Sequence, residues 1–143
     1  MNKPLIIILN SSSFGLHFPE HIKRLKQFAE IKSVKVPADI HEKDLLNELQ
    51  GANGIIASVT PQITKFVIEN LIDLHIIARH GIGCDNVDIE AATRQGIYVS
   101  KVAGLVEKEA VAELSLSLTL AAARHIVSGA TAVKEGLWSS RAS

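Results

Sequence analysis

The sequence predicts an α/β fold in which a doubly wound, five-stranded parallel sheet is followed by a long connecting helix. Three observations support this prediction. Short runs of Leu, Ile and Val alternate with segments of helical periodicity, these runs lack the polar alternation of half-exposed strands, and a long helix-forming segment follows the last run. Strands that are apolar on both faces need helices on both sides of the sheet. With 143 residues, the chain has room for one such domain and part of a second.

Strands and helices are predicted to alternate along the first hundred residues. The five predicted strands cover residues 5–9, 33–36, 54–57, 74–78 and 97–99. Pro19 suits the first turn of the helix that follows the first strand, and residues 44–49 form a second, shorter helix. Thr60 is expected to cap a third helix that begins at Pro61, and Asp88 to cap a fourth that runs through Ala92. The loops at Ser58 and Gly81 therefore lie at the carboxyl ends of strands, where such sheets bind ligands.

The segment from about Glu107 to Val127 is predicted to form a single long helix. Its apolar residues occupy two stripes, which indicates burial on more than one face. We interpret it as a connector between two bodies, so the chain divides into one domain at residues 1–103 and the start of another at 104–143. Exposed apolar faces on this helix would favour a homodimer, because an apolar patch in water is unfavourable.

The composition excludes several classes of function. Fifteen basic residues balance fifteen acidic ones without forming a basic stripe, so no binding to nucleic acid or to an anionic membrane is expected. The longest apolar stretch, residues 111–123, is interrupted by Glu113 and several hydroxyl residues, so it is not expected to span a membrane. The single cysteine, Cys84, fits a reducing cytoplasm. Five histidines share no metal-ligand spacing: His17, His21, His41, His75 and His125.

A glycine turn follows the fourth predicted strand. Gly81-Ile82-Gly83 begins like the dinucleotide fingerprint Gly-x-Gly-x-x-Gly, but Asn86 replaces the third glycine. Lys101 also stands where a ribose-binding acid would be expected. Two other interpretations remain: a tight turn that needs positive φ angles, or a site where successive N–H groups bind a carboxylate.

The residues around this turn resemble a known family. Residues 78–92 (ARHGIGCDNVDIEAA), 96–99 (GIYV) and 110–114 (AVAEL) resemble the signature block of D-isomer-specific 2-hydroxyacid dehydrogenases. The resemblance extends in order of elements over nearly the whole chain and is specific over residues 76–113. It implies a flavodoxin-like substrate domain made from the front of the chain, and a second, NAD-binding domain that starts with the long helix. This chain is similar to the first domain plus that helix.

The resemblance also implies a reaction. Family members transfer a hydride between NAD(H) and a small 2-hydroxy or 2-keto acid, and NADP is not excluded. In the family, the dinucleotide fingerprint and the catalytic Arg, Glu and His lie beyond the position of Ser143. The chain as given is therefore expected to be inactive alone, with the cofactor belonging to a full-length parent. The alternative is a stand-alone module that binds a small acid or dimerises.

The resemblance assigns individual residues by position. Gly81, Ile82 and Gly83 match the loop whose amides hold the substrate carboxylate, and the variable position before them, His80, is placed to face the substrate. Ala57 stands where phosphoglycerate dehydrogenases tend to carry Arg, so a phosphorylated substrate is not expected. A second cleft-lining loop and two helix positions near the nicotinamide are matched by Ser58, Val59, Thr60, Lys108 and Val111.

Other notable residues have simpler interpretations. Asp85 and Asp88 resemble a pair of carboxylates, but Asp88 is more simply a helix cap. Cys84 has no evident basic partner and is expected to be a buried thiol rather than a nucleophile. Trp138 is expected to pack against the rest of the protein. Glu107 stands where the family often has Asn, which puts the cofactor geometry in question.

Overall fold

The computed structural model describes residues 3–137 and confirms the predicted five-stranded parallel sheet. The strands are Leu5–Leu9 (β1), Glu30–Val34 (β2), Gly54–Ala57 (β3), Ile76–Arg79 (β4) and Tyr98–Lys101 (β5). Their order in the sheet is β2-β1-β3-β4-β5, and every adjacent pair is parallel. The helices are Pro19–Phe28 (α1), Glu42–Leu49 (α2), Lys65–Asn70 (α3), Ile89–Arg94 (α4), Leu105–Ala123 (α5) and Ile126–Lys134 (α6).

The core lies between one face of the sheet and the helices α2, α3 and α4. Alternate strand residues point to this face and are fully or almost fully buried, among them Ile7, Leu9, Ile55 and Ile77. They pack with helix residues such as Leu45, Leu49, Val67 and Ala91. Ile56 and Ala78 project from the opposite face and line a cavity together with Leu25 and Phe28 of α1. The central strands β1 and β3 are apolar on both faces because each face meets helix side chains.

Three of the five predicted strands have wrong boundaries. The second strand covers Glu30–Val34 rather than residues 33–36, because its pairing partner β1 sets the register from Leu5 opposite Glu30. This edge strand is mostly exposed and polar, which concealed it in the sequence. The fourth and fifth strands end at Arg79 and Lys101, later than predicted, because both stay in register with Ala57 at the end of β3.

The third helix begins later than predicted. Thr60 does not cap a helix at Pro61; Thr64 is the N-cap of α3, and its hydroxyl accepts a hydrogen bond from the N–H of Val67 at 3.4 Å. The residues between them form a parallel bridge, in which Ile63 pairs with Val87. The second helix begins at Glu42, two residues before the predicted start. The predicted cap of α4 is confirmed, because the Asp88 carboxylate accepts from Ala91 N–H at 2.8 Å, but the helix ends at Arg94 rather than Ala92.

The long connecting helix is two helices, so the prediction of a single helix is wrong. Helix α5 ends at Ala123, His125 adopts a left-handed conformation with φ of 50°, and α6 follows. The apolar pattern continues across this break and gave no sign of it. Among the described residues, no single helix is long and apolar enough to cross a membrane. Glu107–Ala123 and Ile126–Lys134 together have the required length and composition, but the pair is bent by 59° at the break between them.

Contacts divide the chain into two compact units, Met1–Ala103 and Gly104–Ser143. The first unit contains the whole sheet and α1 to α4, and the second contains α5 and α6. The predicted packing residue Trp138 lies outside the described residues.

Candidate functional site

The loops that follow β1, β3 and β4 meet at the carboxyl edge of the sheet. The chain leaves β1 toward β2 on one side and returns to β3 on the other, so the strand order reverses between β1 and β3. Open α/β sheets bind ligands in the crevice at such a reversal. The predicted site residues Ser58, Thr60 and His80 to Gly83 all lie in these loops.

The glycine turn after β4 presents two unused backbone donors. The N–H of Gly81 donates to the carbonyl of Arg79 at 2.9 Å, and the Gly81 carbonyl accepts from Val102 N–H at 3.0 Å. The N–H groups of Ile82 and Gly83 have no acceptor among the described residues. Consecutive free N–H groups at a strand end are the arrangement that binds a carboxylate. Of the three amides that the family resemblance assigns to this task, two are available in this structure.

Gly81 has to be glycine for two reasons. Its φ is +153°, which side-chain-bearing residues rarely adopt, and a Cβ there would lie 2.6 Å from Nη1 of Arg79. Gly83 is less constrained, because a Cβ at that position would meet only the carboxylate Oδ2 of Asp85, at 3.1 Å. The turn therefore combines the tight-turn interpretation at Gly81 with free donors at the next two residues.

Arg79 is a buried cation next to this turn. It is 7% exposed, and its Nη1 donates to the carbonyl oxygen of His80 at 2.6 Å. Its Nε is buried without a hydrogen-bond partner among the described residues. Burial of a guanidinium is costly unless it is paired with an anion. Asp85 adds an exposed carboxylate to the same loop. The guanidinium of Arg79 beside Gly81 places a positive charge in the loop that opposes this negative one.

Asn86 connects the glycine turn to the loop after β3. It is 6% exposed, and its Nδ2 donates to the carbonyl oxygens of Ser58 and Pro61, both at 3.0 Å. The backbone carbonyl of Asn86 accepts a hydrogen bond from the N–H of Ile63 at 2.7 Å. In the sequence, Asn86 counted only as a missing third glycine. An asparagine two residues before a helix cap was the available signal, because its amide can bond to backbone carbonyls.

Asn10 connects the loop after β1 to the loop after β3. The sequence analysis missed this residue as well. Its φ is 52°, and its side chain pairs with the backbone of Val36, accepting at 2.8 Å and donating at 3.0 Å. Nδ2 also lies 3.4 Å from the hydroxyl oxygen of Thr60. An Asn directly after a buried strand was the signal, since Asn tolerates this left-handed conformation. Both loops beside the glycine turn are thus tied to the sheet by buried or half-buried amides.

The remaining predicted residues of the first unit lie in the loop after β3. Ser58 is half-buried, and its N–H continues the sheet by donating to Leu9 O at 3.1 Å. Val59 is 64% exposed, so it presents an apolar surface at the carboxyl edge of the sheet.

Cys84, in the loop after β4, is half-buried rather than buried, which corrects the expectation from the sequence. The described residues contain no cluster of His, Cys, Asp or Glu that could hold a metal ion.

Lys108 and Val111 lie in the second unit, on helix α5. Both are exposed, Val111 to 60%. The Val111 carbonyl accepts from the hydroxyl of Ser115 at 2.7 Å, a bond within the helix. Their predicted position near a nicotinamide stays a prediction.

Comparisons with known proteins identify the family. Residues 8–139 match the model of the catalytic domain of D-isomer-specific 2-hydroxyacid dehydrogenases. The chain is 38% identical over 121 residues to a glyoxylate reductase of Thermococcus litoralis, covering 84% of this chain and 36% of that protein. It is 36% identical over 112 residues to a hydroxypyruvate reductase of Thermotoga maritima, covering 78% of this chain and 36% of that protein.

A solved structure shares the fold of this chain. The TT0316 protein of Thermus thermophilus matches with a TM-score of 0.79 and 32% identity, over 94% of this chain and 41% of that one. The chain thus spans 36% of the length of the two curated relatives. On the match of residues 8–139, the chain belongs to the family of D-isomer-specific 2-hydroxyacid dehydrogenases.

Proposed function

We propose that this chain is the substrate-binding part of an oxidoreductase that transfers a hydride between a nicotinamide cofactor and a small 2-hydroxy or 2-keto acid. The names of the relatives, glyoxylate reductase and hydroxypyruvate reductase, support this class of substrate. The chain spans about a third of those proteins, so the activity of a whole enzyme is part of the proposal.

The observation that carries the proposal is the pair of free N–H groups at Ile82 and Gly83. A carboxylate offers two oxygens, and two adjacent amides can donate to both. Hydrogen bonds to a charged acceptor contribute about 1.5–3 kcal/mol each, so a total on the order of 4 kcal/mol gives a dissociation constant near millimolar. Binding the carboxylate at the strand end would leave C2 of the acid in the crevice, oriented for reaction.

The glycine turn and the helix after it do not fit a dinucleotide. Asn86 fills the position of the third glycine with a buried side chain that is already bonded to two carbonyls. The following helix has six residues, and its amino terminus is capped by the chain's own carboxylate, Asp88. A pyrophosphate would normally occupy that helix end. We therefore propose that NAD, or NADP, binds to another part of a longer protein, and that this chain alone is inactive. From the single cysteine we also propose a reducing, cytoplasmic location.

Calorimetry with two matched compounds tests the proposed carboxylate site. Pyruvate and pyruvamide have nearly the same shape, but pyruvamide lacks the negative charge and adds donors. The chain should bind pyruvate with a dissociation constant near millimolar and pyruvamide at least tenfold more weakly, by roughly the difference between a charged and a neutral acceptor. Equal affinity, or no binding of pyruvate, would contradict the proposal. A parallel assay with NADH and glyoxylate should show no turnover by the chain alone, and measurable NADH oxidation would refute the inactivity.

A second candidate is a module that dimerises through helix α5. Exposed apolar side chains occur around the whole helix, at 54–62% exposure: Val111, Leu114, Leu116, Leu118 and Leu120. A helix that exposes apolar residues on all sides gains free energy by covering them with a second copy. Analytical ultracentrifugation tests this proposal. A concentration-dependent dimer that L114E/L118E abolishes would support it, and a monomer at high concentration would contradict it.

A further inference from the structure

We propose that His80 determines specificity by donating a hydrogen bond from Nε2 to an oxygen on C3 of the bound acid. The preferred substrates would then be 2-keto acids that carry a hydroxyl or a second carboxylate on C3, rather than unsubstituted ones. This inference rests on the proposed function, because it takes the substrate carboxylate to lie on the amides of Ile82 and Gly83.

The backbone of His80 is held on both sides. Its N–H donates to the carbonyl of Ala57 at 2.8 Å, which continues the pairing of β3 with β4. Its carbonyl accepts from Nη1 of the buried Arg79 at 2.6 Å. His80 is also directly followed by Gly81, the first residue of the proposed carboxylate-binding turn. The imidazole therefore starts from a fixed point next to that turn.

The imidazole ring is held as well, although the side chain is exposed. Its Nδ1 lies 3.1 Å from the hydroxyl oxygen of Ser11, and the Phe14 ring packs edge-on against it, with centroids 5.4 Å apart at 84°. An exposed histidine normally rotates freely, so fixing its ring has an entropic cost. Contacts from the loop after β1 offset that cost and leave Nε2 as the ring's unbonded nitrogen among the described residues.

Ser11 is placed to set the tautomer of this ring. Its hydroxyl oxygen already accepts a hydrogen bond from the N–H of Phe14 at 3.1 Å. In the proposed arrangement the hydroxyl hydrogen donates to Nδ1, which gives a cooperative chain from Phe14 N–H through Ser11 to His80. A neutral imidazole that accepts at Nδ1 carries its hydrogen on Nε2. The exposed end of the ring is thus a donor, and it is a donor in the protonated ring as well.

Basic rather than acidic side chains line the cavity beside His80, although most of its lining is apolar. His80 lines a cavity of about 470 Å³, and Arg24, Arg79 and Lys101 are the other basic residues in its lining apart from His21. No acidic residue occurs among the described residues of this lining. An acceptor oxygen at C3 would accept from Nε2–H, whereas a methyl group would leave that donor without an acceptor.

Affinities for pyruvate and hydroxypyruvate test the inference, because the two acids differ by one C3 hydroxyl. The chain should bind hydroxypyruvate about 3- to 10-fold more tightly in calorimetry, the range that one hydrogen bond gives. In H80F, which keeps a ring against Phe14 but loses the donor, the ratio should fall to about one. H75F is the matched control: His75 is exposed at the opposite end of β4, and its replacement should leave the ratio unchanged.

Ser11 acts through His80 and is tested as a positioning residue. S11A should lower the hydroxypyruvate-to-pyruvate ratio, and S11T, which keeps the hydroxyl, should restore it. The ¹⁵N shifts of the His80 ring provide an independent measurement, and they should show the hydrogen on Nε2 in the unmodified chain.

The possible outcomes separate the two proposals. If pyruvate binds but the ratio is about one, or H80F does not change it, the role of His80 is wrong while the carboxylate site stands. A hydrogen on Nδ1 would likewise overturn the role of His80. If neither acid binds, the proposed function fails, and this inference fails with it.

Discussion

Replacement of Asn86 by alanine should destabilise the first unit and release the glycine turn from its neighbour. The change removes two hydrogen bonds of 3.0 Å, to the carbonyls of Ser58 and Pro61, from a side chain that is 6% exposed. An unsatisfied buried carbonyl costs about 1–3 kcal/mol. Because Ser58 is half-buried, water can replace one of the two donors there, so we expect a total loss of about 2–4 kcal/mol.

Urea denaturation followed by circular dichroism measures this loss, with N70A as the matched control. Asn70 is exposed and makes one hydrogen bond within the same stretch of chain, to Phe66 O at 2.8 Å. N70A should cost less than about 1 kcal/mol, because water replaces an exposed bond. N86D should be at least as harmful as N86A, since a carboxylate oxygen would face two carbonyl oxygens. The reasoning is refuted if N86A costs no more than N70A.

Three further predictions concern local structure in the same unit. G81A should cost roughly 2 kcal/mol or more in urea denaturation, because alanine at φ +153° would also displace the guanidinium of Arg79; G51A, with positive φ but no atom within 4 Å, should cost less. D88A should cost about 1 kcal/mol through loss of the cap of α4, and D88N should recover most of it; no difference between them and the parent chain would show that the cap is unimportant. I77A should cost about 2–5 kcal/mol, since this side chain is completely buried, and a smaller loss would contradict the assigned core.

The sheet could be predicted from the sequence because its strands are apolar runs bounded by polar or turn residues. Residues 5–9 and 54–57 were predicted with the boundaries that the structure has. The edge strand β2 was displaced because its exposed polar residues carry no apolar signal, and its position depends on pairing with β1. Register is a property of two strands, so one strand's sequence does not specify it.

Helix boundaries depended on which of several equivalent residues serves as the cap. Thr60 and Thr64 both resemble caps, and Thr60-Pro61 is the more conventional start. Thr64 caps α3 instead, and its hydroxyl also donates to the carboxylate of Glu42 at 2.9 Å. That contact joins residues 22 positions apart, which local sequence patterns do not reveal.

The candidate site was predicted in part. The glycine turn was evident, because Gly81 and Gly83 stand shortly after an apolar run that ends at Ala78. The roles of Asn10 and Asn86 were not, since each bonds to backbone carbonyls that the fold brings close from distant positions. The hydrogen bond from the N–H of Gly81 to the carbonyl of Arg79 could not be predicted from the sequence either, because it depends on one backbone angle.

A ¹H–¹⁵N correlation spectrum of the chain during titration with glyoxylate tests the carboxylate site most directly. Glyoxylate has no C3, so the titration is independent of the role of His80. The amide signals of Ile82 and Gly83 should move progressively, while Gly81, whose N–H is already bonded, should move less. Shifts absent from Ile82 and Gly83, or spread evenly over residues far from the carboxyl edge of the sheet, would contradict the proposal that this turn binds the acid.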